Sequence, residues 1–332
     1  MKRNIYWDAI KACCIIAVLL IHTTSLSNTV GVVWRQFINY PVSLFFFMAG
    51  YFCKNQLNVR EFYVKKFCRI LVPLFFYSFM YAIPELIRLG VMGSLRLDTT
   101  LTALSRFMFD WGYFPIALFQ CILLYPLLMR MKETTSIGLS IFLYFLSYAY
   151  YVAGIFICPE KITTEYMFPH IFASSWLPMF VLGVIIRHNK ASPLLNIRGY
   201  WIGVALVISI IEALVWYECF DCRKLAMTQI KPGSILMSIA IALYVSKKIT
   251  TSTVDNISSS VLNIIIAVGS FSYFIYFSHR FVLKLMAPIF DGSVINIYLI
   301  RPVFLIIIMV VVSIVLSRMP AIIKRRLWWI GV

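Results

Sequence analysis

Three ionisable residues lie in or beside the first long apolar stretch of the chain. Asp8 and Lys11 lie at the start of this stretch, and His22 follows Lys11 by eleven positions. Because an α-helix turns about 100° per residue, Lys11 and His22 share one helix face about 16 Å apart, and Asp8 lies within about 40° of the same line. A neutral imidazole titrates near neutral pH and can accept a proton from a hydroxyl group. The spacing therefore places a cation and a candidate general base, His22, on one stripe of one helix.

A helix stripe with three ionisable groups will not face lipid, because each charge at the bilayer centre costs at least a few kcal/mol. We therefore expect the stripe to face the interior of a helix bundle or a water-filled cavity. Two simpler interpretations also fit. Asp8 and Lys11 can form an interfacial ion pair where the helix enters the membrane. His22 can be a packing histidine with a single hydrogen bond.

A strongly basic segment follows the second apolar run, at residues 53–73, and reads CKNQLNVREFYVKKFCRILVP. Lysine and arginine side chains bind phosphate oxygens strongly, so this segment could hold a ligand with several phosphates at the mouth of the third span. Alternatively, its charges only set the topology, because cytoplasmic loops of membrane proteins are enriched in Lys and Arg. The basic residues of this segment are Lys54, Arg60, Lys65, Lys66 and Arg69.

A second polar cluster lies near the end of the chain, in the segment GSFSYFIYFSHRF at residues 269–281. Ser272, Tyr276 and His279 follow one another at steps of four and three, so they share one helix face. This face could line a site for an acceptor molecule. It could equally be an interfacial anchor of aromatic and basic side chains.

Several arginines fall near the predicted span ends on the non-cytoplasmic side: Arg35, Arg88, Arg106, Arg280 and Arg301. They either extend toward the interface as anchors or form a basic vestibule for an anionic acceptor or lipid-linked phosphate. Cys219 and Cys222 lie in a predicted outer loop, where a disulfide is possible in an oxidising compartment. No metal site is expected, because neither a second cysteine pair nor a nearby histidine completes a zinc ligand set.

The composition identifies the class of protein. Of the 332 residues 61% are hydrophobic and only 13% are charged, and the mean hydropathy is +0.87. A soluble domain carries about 25% charged residues, so we predict an integral membrane protein. Its apolar runs are continuous and long enough to cross about 30 Å of hydrocarbon as helices, which bond their backbone groups internally. The prediction is an all-α polytopic bundle, with residues 1–332 as one domain.

We predict ten transmembrane helices, with an uncleaved first helix and both termini in the cytoplasm. This orientation places 19 of the 30 Lys and Arg residues on the cytoplasmic side. The net charge of +17 follows from this bias, so the expected partner is the lipid bilayer and not nucleic acid. The predicted spans are 8–27, 37–53, 70–89, 107–128, 137–157, 170–186, 199–217, 232–246, 260–281 and 296–317.

Five segments, in order from residue 6 to about 282, resemble motifs of the acyltransferase-3 membrane family. This family includes bacterial glycan O-acetyltransferases and the inner-membrane acetyltransferase of enterobacterial common antigen. The first segment has Asp8, Lys11 and, after ten further residues, His22, where the family typically has Arg, ten residues and His. The others are PVSLFFFMAGYF (41–52), KKFCRILVP (65–73), YFPIALFQCILLYPLL (113–128) and SFSYFIYFSHRFV (270–282).

Four positions depart from the family pattern. Lys11 and Lys66 stand where the family usually has arginine, Ala49 replaces a serine, and Tyr113 replaces a tryptophan. The two lysines keep the positive charge but lose the bidentate geometry of arginine. Ala49 and the following glycine would also let a neighbouring helix approach closely.

The resemblance implies transfer of an acyl group from cytoplasmic acyl-CoA, most often acetyl-CoA, to a sugar hydroxyl on the outer face of a bacterial inner membrane. His22 would be the general base, and Asp8 would orient Lys11. The long pantetheine arm of CoA would suit the distance from Lys11 to His22. Residues that would hold CoA at the inner mouth are Lys11, Lys65, Lys66 and Arg69, and residues facing the acceptor would be Ser272, Tyr276 and His279.

Two other classes of protein fit the same composition. A transporter or flippase of a glycan or lipid-linked sugar would also need many spans and a polar interior, although we find no inverted repeat. A membrane assembly factor would use its basic loops for topology alone. The sequence does not name the acceptor, and it leaves the oligomeric state and direct transfer versus an acyl-enzyme open.

Overall fold

The computed structural model describes residues 5–24, 28–54, 58–94, 96–110, 112–157, 168–189, 192–251, 260–286 and 300–332. These residues form helices joined by short connections, and none of them lies in a strand, which confirms the all-α prediction. The helices are α1 (Ile5–Thr23), α2 (Thr29–Phe37), α3 (Pro41–Phe52), α4 (Val59–Val91), α5 (Leu97–Asp110), α6 (Tyr113–Leu128), α7 (Glu133–Ile157), α8 (Phe168–Ile171), α9 (Leu177–His188), α10 (Tyr200–Leu214), α11 (Arg223–Met227), α12 (Pro232–Thr251), α13 (Ser260–Ser270), α14 (Ser272–Met286), α15 (Arg301–Arg318) and α16 (Ala321–Arg326).

Within the described residues, six helical stretches are long and apolar enough to cross a membrane, and a bent pair would make a seventh. The six are Ile5–Thr23, Val59–Val91, Glu133–Ile157, Tyr200–Cys219, Arg223–Ile249 and Arg301–Arg318. The polytopic membrane class is therefore confirmed, while the count of ten and the side of each terminus stay predictions. Residues 25–27, 111 and 296–299 of the predicted spans lie outside the described residues.

Three predicted spans are shorter in the structure than a bilayer requires. The helices α3 and α9 have 12 residues each, and α6 has 16. At 1.5 Å per residue, a 12-residue helix rises about 18 Å, against about 30 Å of hydrocarbon. Much of their surface contacts other helices: the core includes Phe46 and Phe47 of α3 and Phe180 of α9. These helices thus lie within the bundle and contribute most of its central packing.

The structure corrects two further predictions about the elements. The basic segment read as a loop after the second span is helical from Val59 onward, so Lys65, Lys66 and Arg69 lie on the first turns of α4. The predicted span 260–281 is broken: α13 and α14 meet at Phe271 and their axes differ by 79°. This break places Ser272 at the first residue of α14 and directs its polar face into the bundle.

The helices α3 and α9 cross at two glycines. A Cβ atom on Gly50 would overlap the carbonyl oxygen of Phe180, and one on Gly183 would overlap the carbonyl oxygen of Phe47. Small residues allow this close backbone approach in membrane helix pairs, where apolar burial alone gives no driving force. The prediction of a close helix approach at the Ala49–Gly50 pair is confirmed for Gly50.

The first helix lies among several others. Helices α3, α13, α14 and α15 pack around α1, and a Cβ atom on Gly269 would overlap the carbonyl oxygen of Asp8. Asp8 is 5% exposed, and Ile15 and Val18 on the same stripe are buried. The stripe therefore faces the bundle interior, as its charges require.

A buried polar network joins α2, α10, α11 and α12. The ammonium group of Lys231 is fully buried; it donates to the carbonyl and hydroxyl oxygens of Ser209 at 2.8 Å each and lies 3.6 Å from the Glu212 carboxylate. Ser209 donates to the Gln36 side-chain oxygen at 3.2 Å, and the Gln36 amide donates to the carbonyl of Ala226 at 3.2 Å. These bonds fix α2 and α11 against the body of the bundle.

We predict that Gly183→Ala lowers the free energy of unfolding by about 1–3 kcal/mol or more, because α3 and α9 must separate to admit the methyl group. The measurement is unfolding of the detergent-solubilised protein followed by circular dichroism. Gly203→Ala is the matched control, since no atom outside the local backbone of its own helix lies within 4 Å of its Cβ position. Equal stability of the two variants would contradict the close crossing.

We predict that Lys231→Met lowers the free energy of unfolding by about 3–5 kcal/mol, because it leaves the Glu212 carboxylate without its buried cation. Arg88→Met is the control: its ion pair with Glu85 lies on the exposed side of α4, and such pairs contribute about 1 kcal/mol or less. The same unfolding measurement compares the two variants. Similar losses in both would show that burial of the Lys231 pair is not important for stability.

Candidate active site

A cavity of about 690 Å³ lies at the end of α1 that carries His22. We call it the histidine cavity, because His22, His170 and His279 all line it. Its other described lining residues come from α1, α2, α3, α6, α7, α14 and the segment 223–229. Ligand sites of proteins commonly have volumes of about 300–1,000 Å³, so the cavity can hold a small-molecule substrate.

Two of the histidines form a stacked pair. The rings of His22 and His279 are parallel to within 26°, with centroids 5.1 Å apart. A terminal nitrogen of Arg280 lies 2.8 Å from Nδ1 of His22. The Nδ1 atom of His279 lies 3.1 Å from the carbonyl oxygen of Ile275, one turn earlier in α14. The break between α13 and α14 thus brings two imidazoles and a guanidinium to one point.

The partners of the two rings determine where their protons lie. A guanidinium only donates hydrogen bonds, so Nδ1 of His22 accepts, and its ring proton is on Nε2. A carbonyl oxygen only accepts, so Nδ1 of His279 carries the proton, and its Nε2 holds a lone pair. Among the described residues, Nε2 of His279 has no hydrogen-bond partner. The neutral pair therefore has the ring N–H of His22 and one basic nitrogen, the buried Nε2 of His279.

The wall of the histidine cavity is cationic. Arg35, Arg223, Lys224 and Arg280 line it, and none of the described lining residues is acidic. The four come from α2, α11 and α14, which are distant in sequence. The alternative of a basic vestibule, which the sequence leaves open for five arginines, fits Arg35 and Arg280. Arg88 instead pairs with Glu85 on α4.

Arg35 is held in place by neutral acceptors. Its Nε donates to the side-chain oxygen of Asn39 at 3.0 Å, and a terminal nitrogen donates to the carbonyl of Ile21 at 3.0 Å. The Asn39 amide in turn donates to the carbonyl oxygen of Thr228 at 3.0 Å and to the Ser234 hydroxyl at 3.2 Å. These bonds connect the guanidinium to α1 and to the segment that carries Arg223 and Lys224.

The third histidine has a supporting position. Nε2 of His170 lies 3.0 Å from the Thr228 hydroxyl, and the carbonyl of His170 accepts the Trp176 indole N–H at 2.8 Å. The rings of Tyr113 and Tyr151 pack against its imidazole, each with centroids 5.7 Å away. The hydrogen bond between His170 and Thr228 thus fixes α8 against the segment around Thr228, on the wall of the cavity.

A second cavity, of about 200 Å³, lies at the Lys11 end of α1, and we call it the lysine cavity. Lys11 lies 3.3 Å from the Asp8 carboxylate and 5.5 Å from the centroid of the Phe52 ring. The remaining lining is mostly apolar and includes Phe45 and Phe114. Ser272 lines this cavity, and Tyr276 lines both the lysine and the histidine cavities.

The predicted phosphate-binding residues lie apart from both cavities in this structure. Lys65 is exposed and forms an ion pair with Glu61 one turn earlier on α4. Lys66 lies over the Phe62 ring, 5.7 Å from its centroid. Arg69 is exposed, and its neighbour Ile70 accepts a hydrogen bond of 2.8 Å from Tyr273 of α14. This hydrogen bond joins the basic first turns of α4 to α14, the helix that carries His279.

The residues predicted from the sequence are thus divided between two places. His22, Tyr276 and His279 meet at the histidine cavity, and Lys11, Ser272 and Tyr276 meet at the lysine cavity. Spacing alone did not identify His170, Tyr113 or the two cations of α11. The available signals were the dipeptide Pro169–His170 and the basic pair Arg223–Lys224. Neither forms a recognisable motif with residues close to it in the sequence. Cys219 and Cys222 are both free thiols.

Comparison with known proteins gives one result that bears on this geometry. No curated protein and no solved structure matches the chain significantly. A family model described as an acyltransferase domain, that of the acyltransferase-3 family, matches residues 4–318 and so includes both cavities and every helix up to α15. The chain therefore belongs to the acyltransferase-3 family and is a multi-pass membrane acyltransferase.

Proposed function

We propose that this protein moves an acetyl group from cytoplasmic acetyl-CoA to a hydroxyl group of a cell-surface glycan or lipid-linked saccharide, in a bacterial inner membrane. The observation that carries the proposal is the stacked His22–His279 pair at the wall of a cavity large enough for a saccharide. Family membership supplies the reaction class, acyl transfer. The donor, the acceptor and the role of each histidine are our inferences.

The two cavities suit the two substrates. The lysine cavity is small and mostly apolar, which fits a pantetheine arm, and Lys11, which lines it, can bind a phosphate oxygen of CoA. Asp8 keeps the Lys11 ammonium in position. Lys65, Lys66 and Arg69 on α4 supply further positive charge for the CoA phosphates. With both termini in the cytoplasm, this end of α1 faces the cytoplasm and the histidine cavity faces outward.

The hydrogen bonds of the two histidines favour different chemical roles, with His279 as the general base and His22 as a hydrogen-bond donor. Nε2 of His279 takes the proton of the acceptor hydroxyl, whose oxygen attacks the thioester carbonyl carbon. The Nε2–H group of His22 and the Arg280 guanidinium stabilise the negative charge on the carbonyl oxygen. The carbon–sulfur bond then breaks, and the CoA thiolate receives the proton from His279. The sequence-based assignment of His22 as the base would need Arg280 to leave Nδ1 first.

We predict that His22→Gln and His279→Gln each reduce acetyl transfer by about 10²–10⁴-fold, as loss of acid–base catalysis or of an oxyanion donor does. The measurement is transfer of radiolabel from acetyl-CoA to a membrane glycan fraction by purified protein in detergent. His188→Gln is the matched control, because His188 ends α9 and lines neither cavity.

A wild-type protein that leaves acetyl-CoA unreacted in the presence of the glycan fraction would overturn the proposed function and favour a flippase. Normal transfer by His279→Gln, together with loss in His22→Gln, would return the role of base to His22. Equal loss in the His188→Gln control would show that the assay reports folding and not chemistry.

We predict that Lys11→Gln raises the KM for acetyl-CoA by about tenfold or more, because a charge-assisted hydrogen bond to phosphate contributes about 1.5–3 kcal/mol. The turnover number should change less, since Lys11 and His22 are separated by three turns of α1. Lys11→Arg, which restores the arginine usual in the family, should keep the wild-type KM. A fall in turnover without a change in KM would contradict a role for Lys11 in donor binding.

A further inference from the structure

The cationic wall of the histidine cavity has no function in the proposed acetyl transfer beyond that of Arg280. A neutral sugar hydroxyl needs a base and an oxyanion donor, and the histidine pair with Arg280 supplies both. Arg35, Arg223 and Lys224 line the same cavity. These three cations come from two segments distant in sequence, and an anionic ligand in the cavity would be attracted to all of them.

Among the residues that the structure describes at this wall, no carboxylate neutralises the charge of Arg35. Both of its hydrogen-bond acceptors, the Asn39 side-chain oxygen and the Ile21 carbonyl, are neutral. Glu212, the carboxylate of the network behind α2, instead pairs with Lys231 and accepts the Gly233 amide at 2.6 Å. A charge in a poorly solvated site is costly unless an opposite charge binds to it.

The geometry of Arg35 also suits ligand binding. Its two hydrogen bonds fix the guanidinium plane and use two of its five N–H donors. The other donors can bind two oxygen atoms of a phosphate or carboxylate side by side, which is the arrangement that guanidinium favours. The same Asn39 side chain holds Thr228, four residues from Lys224, so the two halves of the wall keep a fixed separation.

We propose that the acceptor is an acidic saccharide, and that its phosphate or carboxylate group binds to Arg35 with Arg223 and Lys224 while its hydroxyl lies at the histidine pair. This inference rests on the proposed function, because it names the chemical class of the acceptor at the same site. A diphosphate that links the saccharide to a lipid and a uronic acid within the glycan both provide this chemistry.

The CoA phosphates are the other anions in the reaction, and the structure separates them from this wall. Lys11, at the lysine cavity, lies about 16 Å from His22 along α1. The thioester must reach the histidine pair from that side, so the phosphates at the opposite end of the pantetheine arm lie away from Arg35. Binding of CoA at the cationic wall is therefore the competing outcome of the test.

The first test measures anion binding without turnover. The purified full-length protein in detergent, at low ionic strength, is titrated with inorganic pyrophosphate and with galacturonate, and binding is followed by the rise in melting temperature. We expect at least one probe to bind, Arg35→Gln to weaken its binding about tenfold or more, and Arg35→Lys to weaken it less. Arg88→Gln, which lies outside the cavity, should bind like the wild type.

The second test separates the two substrates kinetically. We expect the effective anion to compete with the glycan fraction and not with acetyl-CoA, and Arg35→Gln to raise the KM for the glycan with little change in the KM for acetyl-CoA. Competition by pyrophosphate indicates a lipid-linked diphosphate, whereas competition by galacturonate indicates a uronic acid. Methyl esterification of the glycan carboxylates should then abolish acceptor activity only in the second case.

Three results would overturn the inference. They are absence of binding by both probes, an unchanged glycan KM in Arg35→Gln, and competition of the anions with acetyl-CoA alone. Failure of the proposed function gives a different result, because anion binding would persist in a protein that never transfers the acetyl group. Retained transfer without anion binding would contradict only the acidic acceptor.

Discussion

Charged side chains inside this bundle need partners within the protein, because lipid supplies none. The clearest case is Lys231, which is fully buried and is bound by Ser209 and Glu212. Ser209 also bonds Gln36 of α2, and Asn39, just after α2, bonds the carbonyl of Thr228. The network around the buried lysine and the bonds of Asn39 therefore both help to position α2, which carries Arg35.

Close backbone contacts at a few glycines position the central helices of the bundle. At the α3–α9 crossing, glycines 50 and 183 face carbonyl oxygens of the opposite helix, and Gly269 of α13 lies against the backbone of Asp8. These contacts keep α1 central and set the end of α13 beside its first turns. The bend at Phe271 then directs α14 so that His279 reaches His22, eleven residues beyond Lys11. Close helix crossings therefore decide whether the two imidazoles can meet.

Local sequence patterns predicted the helical membrane class, the shared face of Asp8, Lys11 and His22, and the shared face of Ser272, Tyr276 and His279. Both faces depend only on helical periodicity, which a sequence displays directly. The bend at Phe271, the short helix α2 and the meeting of Arg280 with His22 depend on contacts between residues up to 258 positions apart. Lys65 was grouped with Lys66 and Arg69 by charge, yet its ion pair with Glu61 is an ordinary exposed pair on α4. Composition cannot distinguish such a pair from a ligand site.

Tyr276 connects the two halves of the site, since it lines both cavities and its ring lies 5.3 Å from that of Phe114 and 6.2 Å from that of His279. A donor in the lysine cavity and an acceptor in the histidine cavity would therefore react beside the Tyr276 ring. Phe45, Phe114 and the Tyr276 ring give the lysine cavity a mostly apolar lining. A thioester held there would be shielded from water, which would limit its hydrolysis before an acceptor binds. In the proposed function, α1 would thus bind the donor at its Lys11 end and the acceptor at its His22 end.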